Sequence, residues 1–142
     1  MTPFDERHCA LGEGPLWHPG RNTLFWFDIL GKRLCARDES QTLEWALEEH
    51  FSAAGWVDDD TLLMASETAL WRFDIGSGDR QKVCNFDHEN PVTRSNDGRA
   101  DPWGGFWIGT MGKQAEPGVG AIHRFFKGEF DRRSNGHLFI CT

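Results

Sequence analysis

Strand-like runs recur along the chain at a step of about forty residues, and this spacing limits the fold more than any other feature. "NTLFWFDI" (22–29) precedes "KRLCARD" (32–38), "DTLLMASE" (60–67) precedes "ALWRFDIGSG" (69–78), and "GGFWIGTM" (104–111) precedes "GAIHRFFKGE" (120–129). Aligning Leu24, Leu62 and Phe106 gives steps of 38 and 44 residues. Several short strands per step of roughly 40–50 residues is the signature of propeller blades. Turn-forming stretches stand where hairpins require them, in "HPGRN", "VDDD" and "DPWGG". Seven Trp, eleven Phe and sixteen Gly, with no Tyr, suit short strands and tight turns.

One segment is ambiguous. "SQTLEWALEEHF" (40–51) fits an amphipathic helix through Leu43, Ala46, Leu47 and His50, or a strand through alternating Leu43, Trp45 and Leu47. The repeat places a strand there, and the expectation is an all-β chain of propeller blades. At roughly 40 residues per blade, 142 residues supply about three and a half. Propellers close with four to eight, so an open arc leaves strand edges through which copies can self-associate.

The formal net charge of -7, with no Lys/Arg cluster, argues against nucleic acid. No apolar run approaches the roughly 20 residues of a membrane-spanning helix. The opening "MTPFDERHCALGEG" carries charge where a secretory signal has its apolar segment, so a cytoplasmic location is expected, with no membrane partner. Cys9, Cys35, Cys84 and Cys141 are widely spaced without a C-x-x-C pair, as free thiols are.

Several polar residues invite a functional reading. Glu13, in "GEGP", is a hard oxygen donor on a tight turn, suited to a hard cation. Its alternative is an ordinary exposed turn glutamate. Arg94 and Asn96 flank Ser95, and alternation on extended backbone places both on one face. Together they offer a donor fork and an amide that can both donate and accept. Alternatively Arg94 pairs with Asp97 or Asp101, and Asn96 makes an Asx-turn. Asp97-Gly98 reads as a turn, and Asp101-Pro102 as the opening of the next one. Asp28 reads as a strand end.

"LGEGPLWHP" (11–19), "FWFDI" (25–29), "RSNDGRADPWGGFWIGTM" (94–111) and "GAIHRF" (120–125) resemble the SMP-30/gluconolactonase/regucalcin family, from about Leu11 to about Glu129. The resemblance implies a six-bladed propeller with one divalent cation (calcium, zinc, manganese, magnesium or iron) in its central channel, hydrolysing a small sugar lactone. Residues 1–142 would be the N-terminal half of that domain, apparently truncated at the C-terminus. Weak or absent turnover is then expected of this chain alone. The alternative is a non-catalytic, regucalcin-like protein binding calcium or sugar. Carried over residue by residue, the resemblance makes Glu13 a metal ligand and Arg94 and Asn96 substrate contacts, and leaves the catalytic residue unknown. Ser95 stands where members commonly have Pro. Members with a Glu in the loop after "GTM" are matched by Gln114 in offset, with Glu116 nearby, and neither receives a role. The family's Asn ligand lies roughly fifty residues beyond the R-x-N-D-G motif and its Asp ligand further still. Asn135, in an "SNG" triplet 39 residues after Asn96, superficially matches the Asn, although such a triplet is simply turn-prone.

Overall fold

The computed structural model describes residues 2–137, with side chains through residue 133 in the last strand. Twelve strands form three antiparallel four-stranded sheets in chain order, and each sheet is one blade. Blade 1 comprises β1 (Gly12–His18), β2 (Thr23–Asp28), β3 (Arg33–Arg37) and β4 (Thr42–Ala46). Blade 2 comprises β5 (Phe51–Trp56), β6 (Thr61–Ser66), β7 (Ala69–Asp74) and β8 (Arg80–Asn85). Blade 3 comprises β9 (Thr93–Ala100), β10 (Phe106–Gly112), β11 (Gly120–Phe126) and β12 (Glu129–His137). The all-β propeller expectation therefore holds, and the described residues form three four-stranded blades. Leu24, Leu62 and Phe106 fall in the second strand of each blade, so each repeat begins one strand earlier than the aromatic runs suggest.

The ambiguous segment 40–51 contains strand β4, in which Leu43 pairs with Ala36 and Trp45 with Leu34. A strand places Leu43 and Trp45 on one face by period-two alternation, and both pack against the seam between blades 1 and 2. Phe25, Phe27, Leu34, Leu62, Met64 and Phe73 fill that seam. Ala53, Ala65, Leu70, Phe86, Phe106 and Ile108 fill the seam between blades 2 and 3. Cys9, Cys35 and Cys84 are free thiols, and Cys141 lies outside the described residues. No helix among the described residues is long and apolar enough to cross a membrane.

The first strands β1, β5 and β9 pack on one another as the innermost layer. Their starts meet, because Gly14 abuts the Ser52 carbonyl and the Ser52 hydroxyl donates to Ser95 Oγ at 2.7 Å. Their ends also meet: the His18 and Trp56 rings lie 5.7 Å apart, and Gly55 faces Ala100. The three inner strands therefore run in the same direction and present their starts at one mouth of the arc. The outermost strands carry charge instead, such as Arg80 and Lys82 on β8 and Glu129, Asp131, Arg132 and Arg133 on β12, which discourages edge pairing.

One local expectation is corrected. Asp97 and Gly98 lie inside β9 and make no turn. The pairing with β10 slips between Ile108↔Gly98 and Thr110↔Ser95, which is a β-bulge. Gly98 is needed there for space: a Cβ would stand 2.7 Å from Ile108 Cδ1, 2.8 Å from the Trp107 carbonyl oxygen and 3.1 Å from Ala53 Cβ. The N-D-G signal for a turn is overridden by the fit of β9 between β10 and β5. Asp101-Pro102 does open a turn, with Asp101 Oδ1 accepting the Trp103 and Gly105 N–H groups at 3.0 and 2.7 Å.

Candidate active site at the mouth of the inner strands

Glu13 is the second residue of β1, opposite Phe27. The segment leading to it is fixed by Asp28, whose buried carboxylate accepts the Leu11 and Gly31 N–H groups at 3.0 and 3.1 Å and the Arg33 Nε–H at 3.1 Å. Burial pushes the Asp28 carboxyl up, and these hydrogen bonds outweigh it to leave it below its ordinary value. After Glu13 the chain adopts φ of +60° at Gly14, and the register with β2 shifts between Glu13 and Leu16. A side chain at position 14 would run into the Ser52 carbonyl oxygen, so glycine allows β1 to close on β5. The G-E-G stretch is thus a bulge that carries the half-buried Glu13 at the point where Gly14 meets the next inner strand. Among the described residues, the Glu13 carboxylate makes no hydrogen bond or ion pair.

From Ser52 the path continues to Ser95, and both hydroxyls are about 1% exposed. Ser95 lies between Arg94, half-buried, and Asn96, which is 6% exposed. Arg94 Nη1 donates to the Ser95 carbonyl at 2.8 Å and approaches Asn96 Oδ1 at 3.5 Å. Arg94 and Asn96 therefore share a face of β9, as their spacing predicts. Asp101 is matched with Arg124 rather than Arg94, through Nε and Nη2 at 3.0 and 2.8 Å. Glu13, Ser52 and the Arg94–Asn96 segment thus stand at the same end of the three inner strands, one from each blade.

A second polar cluster at this end was not legible in the sequence. His50 Nδ1 lies 2.9 Å from Glu67 Oε1, and Lys113 Nζ lies 2.8 Å from Glu67 Oε2. Burial pushes the Glu67 carboxyl up, while Lys113 and the His50 N–H groups pull it lower overall. The pair ties the loop after β10 to the β6–β7 hairpin of blade 2. Only the β5–β6 register, with Phe51 opposite Ser66, brings His50 and Glu67 together, and no spacing rule includes Lys113. In the same loop Glu116 accepts the Gln114 N–H at 3.0 Å and lies against Gly112, while Gln114 is exposed. Asn135 pairs with Ala121 in the β11–β12 register, but its side chain lies outside the described residues.

The family model of the SMP-30/gluconolactonase/LRE-like region matches residues 11–138. The chain belongs to this family. It is 37% identical over 130 residues to a putative sugar lactone lactonase of Rhizobium meliloti (strain 1021), covering 87% of this chain and 44% of that protein. It is 38% identical over 128 residues to L-arabinolactonase of Azospirillum brasilense, covering 87% of this chain and 42% of that one. The solved structure of the calcium-binding protein regucalcin from Agrobacterium tumefaciens superimposes with a TM-score of 0.89 at 35% identity, covering 93% of this chain and 45% of its own. The chain spans less than half the length of these relatives.

A divalent cation in this family member needs more donors than one carboxylate. Among the described residues, no three of His, Cys, Asp or Glu gather into a metal-holding group. Glu13 has the chemistry of one arm of such a site, being a hard oxygen donor with no competing partner among the described residues.

Proposed function

We propose that this chain provides the substrate-holding half of a divalent-metal-dependent sugar-lactone hydrolase site. The observation that supports this reading is that Glu13, Arg94 and Asn96 stand at the same end of the inner strands, next to the Gly14–Ser52 and Ser52–Ser95 contacts. When bound, the cation supplies Lewis acidity toward the lactone carbonyl. Glu13 would hold it. The Arg94 guanidinium offers a planar fork of donors, and the Asn96 amide both donates and accepts, so the two can orient a ring carrying several hydroxyls. Burial of Ser95 and Asn96 keeps this wall of the site dry, which strengthens each polar contact. The substrate class follows the relatives named as lactonases.

Hard cations take about six oxygen ligands, so Glu13 with water gives weak binding and feeble turnover in this chain alone. The test is Mn²⁺ binding to the purified 142-residue chain by electron paramagnetic resonance, with gluconolactone and L-arabinonolactone binding followed by NMR. Glu13→Ala is expected to weaken Mn²⁺ at least tenfold. Arg94→Ala and Asn96→Ala are expected to weaken the lactone with Mn²⁺ affinity unchanged. Unaltered metal affinity in Glu13→Ala refutes the assignment.

A second reading is favoured by the likeness to a calcium-binding regucalcin: the same residues would bind calcium without turnover. Acid release from either lactone that rises on adding metal and disappears in Glu13→Ala selects the hydrolase reading. Metal binding without metal-dependent release selects the second.

A further inference from the structure

The seam between blades 2 and 3 is closed near the mouth and open at the far end. At the seam between blades 1 and 2, Trp45 meets Phe73 edge-on at 5.5 Å between centroids and stacks on Phe25 at 6.3 Å, which fills the periphery. The corresponding wall of blade 2 presents Leu63, Arg72 and Val83 toward Phe106 and Phe125 of blade 3, leaving a cleft of about 820 Å³. That volume lies within the range of small-molecule pockets. The cleft is at the Trp56 and Ala100 ends of the inner strands, opposite the mouth that holds Glu13 and Arg94, and so is separate from the proposed hydrolase site.

Its walls are preformed. Gly55 forms part of the floor, where a Cβ would stand 3.3 Å from Ala100 Cβ. The 101–105 turn is locked by Asp101, whose other oxygen takes Arg124 and the Trp107 indole N–H at 2.9 Å. Gly104 has φ of +85°, and a Cβ on Gly105 would stand 2.6–2.7 Å from Asp101 and Arg124. The Asp101 charge is thus neutralised within the turn. The Arg72 guanidinium has no hydrogen bond or ion pair among the described residues, although its field reaches the Asp58 carboxyl. An apolar, aromatic cleft whose one uncommitted charge is a cation is complementary to an anion with an aromatic body.

We propose that this cleft is a second ligand site, taking a small aryl-alkyl carboxylate with its ring among Phe106, Phe125 and Leu63 and its carboxylate on Arg72. Isothermal titration and NMR of the full chain with 3-phenylpropionate test this, with 3-phenylpropanol as the neutral analogue and gluconate as the polar anion. Saturable 3-phenylpropionate binding is expected, at least tenfold tighter than the alcohol, with shifts at Gly55, Gly105 and Phe106 and none from gluconate. Arg72→Gln, a change at an exposed position, is expected to remove the preference for the acid over the alcohol, and Leu63→Phe to weaken both by filling the cleft. Glu13→Ala is expected to leave this binding intact, which separates its outcome from that of the lactone reading. Absence of saturable binding, or equal binding of acid and alcohol to the unaltered chain, overturns the proposal. So does unchanged acid binding in Arg72→Gln.

Discussion

The contact between Ser52 and Ser95 should be worth more as a pair than either residue alone, and a double-mutant cycle measures the difference. Both hydroxyls are about 1% exposed, and the Oγ–Oγ distance is 2.7 Å. In Ser95→Ala the Ser52 hydroxyl is left buried without its acceptor, and in Ser52→Ala the Ser95 oxygen is left without its donor. Each orphaned group costs about 1–3 kcal/mol. In the double variant both polar groups are gone and only two oxygen-sized voids remain, so the loss should be roughly 0–1 kcal/mol. The coupling energy is then at least about 1 kcal/mol and favourable to the native pair. In thermal terms each single variant should melt roughly 3–9 °C lower, given about 3 °C per kcal/mol for a domain of this size. Urea unfolding followed by tryptophan fluorescence and circular dichroism supplies the free energies, and coincidence of the two probes justifies a two-state treatment. Additive single losses would refute the argument, because they would mean that neither hydroxyl relies on the other. The same variants bear on the site: Ser95 separates Arg94 from Asn96, so both should lose order when the β5–β9 contact is cut.

Further outcomes follow from individual contacts. Gly98→Ala should cost about 1–3 kcal/mol in urea unfolding, since a methyl there overpacks against Ile108, the Trp107 carbonyl and Ala53; an unchanged midpoint would show that β9 can shift. His123 is buried, its Nε2 without a hydrogen-bond partner among the described residues, between Phe86 at 5.4 Å and Phe130 at 5.2 Å between centroids. Burial lowers its pKa, opposed by Asp87 and aided by Arg132. A depressed folded-state pKa means that stability is fully present above the ordinary histidine value of about 6.5 and falls as pH drops through it. His123→Phe should therefore lose less stability than the unaltered chain between pH 7.5 and 5.5, and parallel pH curves would count against this account. Asp101 is held at about 2: burial raises its pKa, but the Gly105 N–H, Arg124, Trp107 and the Trp103 N–H lower it more. Its contribution is present above the ordinary carboxylate range and is lost as pH falls toward 2. Asp101→Asn should accordingly lower the urea midpoint at pH 7 by more than at pH 3, and equal losses at both would contradict the ion-pair origin.

The blade repeat was legible because the same physical demand recurs in each unit. The second strand must bury aromatic or aliphatic residues in a seam, so the runs around Leu24, Leu62 and Phe106 recur at steps of 38 and 44 residues. The spacing of Arg94 and Asn96 was legible for the same reason, since alternation along a strand is a local rule. Asp97-Gly98 misled because N-D-G is a turn signal only when nothing packs on the glycine. Here Trp107 and Ile108 lie 9 and 10 residues ahead and Ala53 lies 45 behind, on two other strands, and tertiary fit overrides the local preference. The His50–Glu67–Lys113 cluster escaped for a related reason. Its members meet only after a hairpin register and an inter-blade seam are both in place, and neither leaves a spacing in the sequence.

The same distinction explains why Glu13 depends on its neighbours more than on its own identity. A glutamate between two glycines would ordinarily be an exposed turn residue. What alters its setting is Gly14, whose positive φ and missing Cβ let β1 rest on the Ser52 carbonyl, while Asp28 anchors the chain just upstream. Ser52 in turn holds Ser95, so a carboxylate from blade 1 and the Arg94–Asn96 pair from blade 3 are linked through a single residue of blade 2. Alanine at position 14 would leave every polar side chain of the patch in the sequence and still separate the carboxylate from the other two, because β1 could no longer seat on β5. The proposed site is a property of inner-strand packing, and changes to that packing should act on both of its proposed roles together.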